Sequence, residues 1–440
     1  MSKTILIIAY LFVAGLFTSV NAQEVWSLEK CINYALDNNI KIKQGVNLTK
    51  YQQNQLKQSK FSRLPNFNGQ ISQNMSFGRT LTFPENTYVD INSAETDLSL
   101  STNVPVFQGF QINNSISKLE LDFQASVEDL EKAKSDISIN IASTYLEILF
   151  AKDLVKVSQD QLSVTNLQIK QINEKVEAGS LARGSLLEIQ AQAAGEELKL
   201  VNANNQLQLA KLKLTQLLEI ALQDNFDVEI PTLPEIQAQQ SVVSSGEVYK
   251  SALLFRPEIK GADFRYQSSQ YQLKMARGTL YPSVSLYANL YSLYNDRNPF
   301  SFSKQLDGNQ RKGIGAQMNI PIFTRFQNKI QIDNARLQVL NTQLDLENTK
   351  KMLRADIETA QTNAIASLNR FVSNQKAVSS MREAFRYSEE KFKVGMVNAV
   401  EYNTAKTNLS KAESDLLQAK YEFIFRTKIL DFYQGKPITL

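Results

Sequence analysis

The sequence predicts a mainly α-helical, internally duplicated protein that also carries membrane β-strands, and three observations support this fold class. Residues 110–178 and residues 326–394 are each 69-residue runs without glycine or proline. An uninterrupted helix of that length is roughly 100 Å long. The runs begin 216 positions apart, and polar and apolar residues alternate in the stretches before them, a pattern typical of β-strands. Such helices suit a conduit or a spacer better than a compact catalyst.

The duplication is visible as motifs that recur at a nearly constant offset. Motifs recur 217 positions apart in the first part of each half and 216 apart afterwards. The matching residues are Ala35 with Ala252, Pro65 with Pro282, Pro105 with Pro321, and Gly179 with Gly395. Because several pairs share the offset, we interpret the chain as two copies of one unit.

Each copy is predicted to contain a helix, a strand hairpin, a long helix and a last helix. Residues 1–22 are expected to be a signal peptide, and residues 223–250 a linker that forms a belt partway along the helices. Repeat 1 (23–222) has helices at 28–38 and 40–63, strands at about 66–78 and 97–106, and helices at 110–178 and 185–222. Repeat 2 (251–440) has helices at 257–280, 326–394 and 401–433, with strands at about 282–294 and 313–322.

The predicted strands each have a polar and an apolar face, and Tyr287 and Tyr291 fall on the polar one. Their ten to thirteen residues suit a tilted crossing of a bilayer. An ordinary sheet with one face on a core would need a covering layer, which helices could supply. Four strands do not close a barrel, and an open edge is not tolerated in lipid. The membrane interpretation therefore requires an oligomer, with eight strands in a dimer or twelve in a trimer.

The composition excludes several kinds of site. The chain has no histidine, one cysteine and a formal net charge of +4. A usual zinc site, a Ser-His-Asp triad and a Cys-His pair are excluded by inventory, and no basic run indicates nucleic acid. We expect no enzyme activity and no cofactor, although a carboxylate-only enzyme stays open. Cys31 lies too far past Ala22 to be a lipidated first residue, and we expect it to be buried on an early helix.

These features resemble the TolC-like outer-membrane efflux protein family. The resemblance covers essentially the whole mature chain and includes the turn motifs EKVEAGSL (174–181) and EKFKVGMV (390–397). It implies a homotrimer whose strands form a twelve-stranded outer-membrane β-barrel in lipid, continued by a periplasmic α-barrel of helical hairpins. It further implies a passive exit duct for efflux or type I secretion, with a periplasmic adaptor and an inner-membrane transporter as partners. The alternative is a periplasmic helical spacer or adaptor without a pore.

The resemblance also implies site residues. In the family, acidic residues after the second helical turn ring the closed periplasmic entrance, and links between helices hold it shut. That position here is Glu401, and the next family acid falls at Thr404. The other gate candidates are Arg183, Ser185 and Glu188. The helix turns, at which an adaptor is expected to dock, are Gly179 and Gly395. The barrel–helix junctions are expected at Pro65, Pro105, Pro282 and Pro321. A carboxylate ring favours cations, but Glu401 could equally be a helix N-terminal carboxylate.

Overall fold

A computed structural model describes residues 25–82, 86–221, 226–233, 235–237 and 241–439. The signal peptide predicted for residues 1–22 lies outside these ranges. Within them, no helix combines the length and the apolar content that a membrane crossing requires.

Two very long helices dominate the described chain. They span Gln111–Glu177 and Gln327–Lys393, and each has 67 residues. The described helices are α1 (Leu28–Asn38), α2 (Ile40–Phe61), α3 (Gln111–Glu177), α4 (Arg183–Leu218), α5 (Ser245–Phe255), α6 (Pro257–Gly278), α7 (Phe302–Gly308), α8 (Gln327–Lys393) and α9 (Ala399–Tyr433). Both α3 and α8 begin and end one residue inside the corresponding glycine- and proline-free run. They are continuous because no helix-breaking residue interrupts the backbone hydrogen bonds.

The strands form one four-stranded antiparallel sheet and two small pairs. The strands are β1 (Val25–Trp26), β2 (Asn66–Ser76), β3 (Arg79–Thr82), β4 (Thr87–Asp90), β5 (Ser93–Gln108), β6 (Asp227–Val228), β7 (Ser283–Asn295) and β8 (Arg311–Asn319). The large sheet has the order β2-β5-β7-β8, β3 pairs with β4, and β1 runs parallel to β6. The connection from β2 to β5 contains the β3–β4 hairpin, and α7 lies between β7 and β8.

The chain divides into two compact units, and each unit takes residues from both sequence repeats. One unit comprises the described parts of Met1–Gln44, Glu131–Arg256 and Lys351–Leu440, and the other comprises Gly45–Leu130 and Pro257–Lys350. The predicted boundary between linker and second repeat, at residues 250 and 251, falls inside α5. Val248 and Ala252, on either side of that boundary, are buried residues of the same helix. Helix α4 also ends at Leu218 rather than 222, where Glu219 turns left-handed with φ 58°.

The linker after α4 is fixed to the helices of the first unit. Asp227 forms ion pairs with Lys152 at 2.8 Å and with Lys211 at 3.2 Å. Burial opposes ionisation of Asp227, but the hydrogen bonds from both lysines hold its pKa below the usual value. The buried Tyr145 hydroxyl lies 2.7 Å from the Glu229 carbonyl, to which it donates. The segment around β6 therefore lies against α3 and α4.

Candidate functional site

The two helical turns after α3 and α8 are built alike. Gly179 and Gly395 have φ values of 72° and 75°. At the first turn, the Gly179 amide donates to the Val176 carbonyl at 3.0 Å, and the Ser180 amide donates to Lys175 at 2.8 Å. This is a Schellman end, which requires a left-handed residue and favours glycine. The second turn repeats it with the Met396 amide on the Lys391 carbonyl, at 2.8 Å.

The gate candidates lie just beyond these turns. Asn398 caps α9 by accepting a hydrogen bond from the Glu401 amide at 2.9 Å, so Glu401 lies in the first turn of that helix. Arg183 and Glu188 are exposed on the first turns of α4, and Ser185 is half-buried. Within the described part of one chain, no hydrogen bond or ion pair joins any two of these four side chains. The location of Glu401 fits a helix N-terminal carboxylate.

A buried ionic cluster, which the sequence did not indicate, lies deeper along the same helices. We call Lys406 on α9, Glu196 on α4 and Thr165 on α3 the Lys406 cluster. Lys406 and Glu196 are 4% and 5% exposed, and Thr165 is fully buried. The Lys406 ammonium donates to the Thr165 hydroxyl and lies 3.6 Å from a Glu196 carboxylate oxygen. The Thr165 hydroxyl donates to the other Glu196 oxygen. The cluster therefore ties three helices together.

Burial governs the electrostatics of this cluster. It lowers the pKa of Lys406 below the usual lysine value, and the Glu196 carboxylate opposes that shift. Gln192 donates a further hydrogen bond to Glu196 at 2.9 Å. Because both charges are desolvated, each depends on the other, and loss of one partner would leave an unpaired buried charge.

Tyr402 extends the cluster toward the turn. Its ring stacks on Phe392 with centroids 4.9 Å apart and lies 5.4 Å from the ring of Phe385. Its hydroxyl accepts a hydrogen bond from Gln168 of α3. Burial raises the pKa of Tyr402 to about 12, and the nearby Glu389 adds to that shift. The last turn of α8 is thus packed against α9 and bonded through it to α3.

The large sheet separates polar from apolar side chains, as the alternation predicts. On the polar face the Tyr291 hydroxyl donates to Asp97, and Tyr287 lies over Gly315, which has no side chain. The polar face includes Asn68, Gln70, Ser72, Asp97, Ser99, Ser101, Tyr287, Asn289, Tyr291 and Arg311. The apolar face includes Phe67, Ile71, Leu98, Leu100, Leu286, Leu290, Ile314 and Met318. Many of the apolar side chains are exposed, and Ile314 is 90% exposed.

Two of the four junction prolines lie between a helix and the strand that directly follows them. Pro65 and Pro282 directly precede β2 and β7, but Pro105 lies inside β5 beside a β-bulge. The chain enters the long helices through two left-handed residues in each repeat. These are Gly109 and Phe110, with φ 56° and 61°, and Arg325 and Phe326, with φ 50° and 61°. Glycine is required at 109, because a Cβ there would clash with the Gly278 carbonyl oxygen.

Comparison with known proteins identifies the class to which this fold and these turns belong. The sequence matches the outer membrane efflux protein family over residues 31–219 and 248–425, and the chain belongs to that family. The outer membrane efflux protein BepC of Brucella suis is 21% identical over 353 residues, which cover 80% of this chain and 73% of BepC.

Solved structures show the same fold. The outer membrane protein VceC of Vibrio cholerae has a TM-score of 0.78 at 19% identity, covering 94% of this chain and 97% of VceC. The CmeC outer membrane channel of Campylobacter jejuni has a TM-score of 0.79 at 19% identity, covering 93% and 85%. These matches confirm the predicted family and fold class. The chain is an efflux protein of the outer membrane that extends into the periplasm.

Proposed function

We propose that three copies of the chain form the outer-membrane exit duct of a tripartite efflux or type I secretion system. The duct conducts cargo passively and has no catalytic role. An inner-membrane transporter supplies the cargo, and a periplasmic adaptor joins the two. The observation that carries this proposal is the four-stranded sheet, which has an exposed apolar face and, among the residues that the structure describes, β2 and β8 as its outer strands.

The sheet supports the proposal because a single copy is unsuited to lipid. Backbone groups on an open edge have no hydrogen-bond partner in a bilayer, so spanning sheets close into barrels. If β8 of one copy pairs with β2 of the next, three copies give twelve strands and no edge. The apolar face then meets lipid, and the polar face with Asp97, Tyr291 and Asn289 lines a wet lumen.

The helical turns form the periplasmic end of the proposed duct. Gly179 and Gly395 present exposed turns on which an adaptor can dock. Glu401 of each copy, with Ser185, Glu188 and Arg183 of the neighbouring helix, contributes to the rim of the entrance. The Lys406 cluster and Tyr402 hold α9 against α3 and α4 behind that rim, which favours the closed arrangement.

Introduced cysteines can test the assembly, because the native Cys31 is fully buried. We expect Asn68→Cys on β2 combined with Gln317→Cys on β8 to give covalent dimers and trimers with a bismaleimide in intact outer membranes. Either cysteine alone should give none, because the edges are unlike. A ladder that stops at the dimer would contradict the trimer, and recovery in the soluble periplasmic fraction would favour the spacer alternative.

A further inference from the structure

We propose that α7 and the neighbouring apolar face of the sheet form a binding site for a phosphorylated lipid of the outer leaflet. This site, the α7 patch, consists of Phe300, Phe302, Lys304, Lys312 and the groove beneath Leu306. The inference rests on the proposed function, since it requires the apolar face of the sheet to lie in lipid.

Helix α7 is held firmly on the end of β7. The buried side chain of Gln305 accepts a hydrogen bond from the Asn295 amide at 2.9 Å and donates to the carbonyls of Phe300 and Asn295 at 2.7 and 3.1 Å. Asn309 donates to the Leu293 carbonyl, and the Ser292 hydroxyl donates to the Leu306 carbonyl, both at 2.7 Å. The helix is therefore a built part of the sheet rather than a loose loop.

The helix lies on the apolar face. Ser292 and Tyr294 alternate with the lumen-facing Tyr291 and share their face with Leu290. The Phe302 ring contacts Tyr294, with centroids 5.1 Å apart. Between Leu306 and the sheet runs a groove of about 500 Å³. Its apolar lining comprises Ile71, Leu98, Leu100, Leu290 and Leu306.

Two lysines border this apolar surface. Lys312 is the register partner of Leu290 and therefore lies on the same face. The Lys304 ammonium lies 6.0 Å from the ring of Phe300. Neither lysine forms an ion pair with a carboxylate in the ranges that the structure describes. Asp307 is the acid on α7, so the three charges leave the patch net positive.

The position along the sheet identifies the lipid region. Helices α2, α3, α6 and α8 all join the same end of the sheet, and α7 is at the opposite end. Because the helices extend into the periplasm, α7 is at the outer leaflet. Phe300 and Phe302 are 61% and 50% exposed, and aromatic rings favour the headgroup region. Lysines with apolar stems reach headgroup phosphates from such positions. The groove then takes an acyl chain, and Lys304 and Lys312 take its phosphate.

Native mass spectrometry of the detergent-purified protein tests the site, with dioleoylphosphatidic acid as the probe and dioleoylglycerol as its counterpart without phosphate. We expect wild type to prefer phosphatidic acid. Lys304→Gln combined with Lys312→Gln should weaken that binding roughly ten-fold or more, because each lysine near a headgroup phosphate strengthens binding about five- to ten-fold. Lys50→Gln with Lys57→Gln makes the same charge change on α2 and should bind like wild type. Lys304→Arg with Lys312→Arg should retain binding.

The outcomes separate this inference from the proposed function. The same spectra report the stoichiometry, so a wild-type protein that is not trimeric contradicts the duct. A trimer whose Lys304→Gln/Lys312→Gln variant binds phosphatidic acid as tightly as wild type overturns the α7 patch. Equal binding of phosphatidic acid and dioleoylglycerol by wild type overturns it as well. If the double variant fails to assemble, binding of phosphatidic acid by the single variant Lys304→Gln tests the α7 patch, since this side chain is exposed and its loss leaves the sheet intact.

Discussion

Replacement of Lys406 by methionine should loosen the periplasmic end of the helices. Methionine is unbranched and one atom shorter than lysine, and it removes the charge, which leaves the Glu196 carboxylate buried with Thr165 and Gln192 as hydrogen-bond donors. Breaking a buried ion pair costs about 3–5 kcal/mol. Because Lys406 and Glu196 are only 4% and 5% exposed, solvent screens the pair little, and we expect about 3 kcal/mol. The local opening equilibrium then rises roughly 100-fold.

Hydrogen exchange is the suitable assay, because it reports local opening without requiring reversible unfolding of a membrane oligomer. Amides of α9 around Lys406 and of α3 around Thr165 should exchange roughly 100-fold faster in Lys406→Met, while those of the large sheet should not change. Lys406→Met with Glu196→Gln should recover most of the protection, because no unpaired charge is then buried. A change in exchange rate of less than three-fold in Lys406→Met would show that the buried pair does not hold these helices together. The same would follow if the free-energy costs of the two single substitutions simply added in the double variant.

Three further predictions concern the same end of the molecule. Tyr402 should stabilise the fold fully below its ordinary pKa of 10.0 and lose that contribution as pH rises toward about 12. The melting temperature of wild type should therefore fall more steeply above pH 10 than that of Tyr402→Phe. Parallel curves of melting temperature against pH would contradict this. Gly395→Ala should cost about 1–2 kcal/mol, because φ is 75° with open space around the position. Gly195→Ala, inside α4, should instead stabilise slightly. Hydrogen exchange of the neighbouring amides measures both effects, and equal signs would count against the left-handed turn. Glu401→Ala should reduce cation preference in planar bilayers, and unchanged selectivity and conductance would remove Glu401 from the gate.

The elements that the sequence predicted best are those with a continuous local signal. The long helices follow from the absence of glycine and proline, so their ends at Glu177 and Lys393 lie one residue before the ends of the two runs. The faces of β2, β5, β7 and β8 follow from the alternation of polar and apolar residues, which also placed Tyr287 and Tyr291 on the polar face. The Schellman turns follow from Gly179 and Gly395, because few other residues tolerate that backbone.

What the sequence could not predict depends on contacts between distant residues or on unusual backbone. Thr165 and Lys406 are 241 positions apart, and a lysine on a helix is ordinarily exposed, so no local pattern marks the cluster. Phe110, Arg325 and Phe326 take positive φ values that their residue types disfavour. Pro105 and Pro321 indicate the junctions only approximately, because the left-handed residues follow them a few positions later. Helix α7 is short, and hydrogen bonds to β7 rather than its own sequence fix it there.

Single-channel recording of the purified wild-type protein in planar lipid bilayers can show directly whether the protein forms a duct. If three copies form a duct through the outer membrane, the protein should insert and give discrete conductance steps of uniform size, with a preference for cations. Inserted protein that gives no discrete steps, either as wild type or with the entrance loosened by Lys406→Met, would contradict a trimeric duct, because a twelve-stranded barrel with a polar lumen conducts ions once its periplasmic entrance is open.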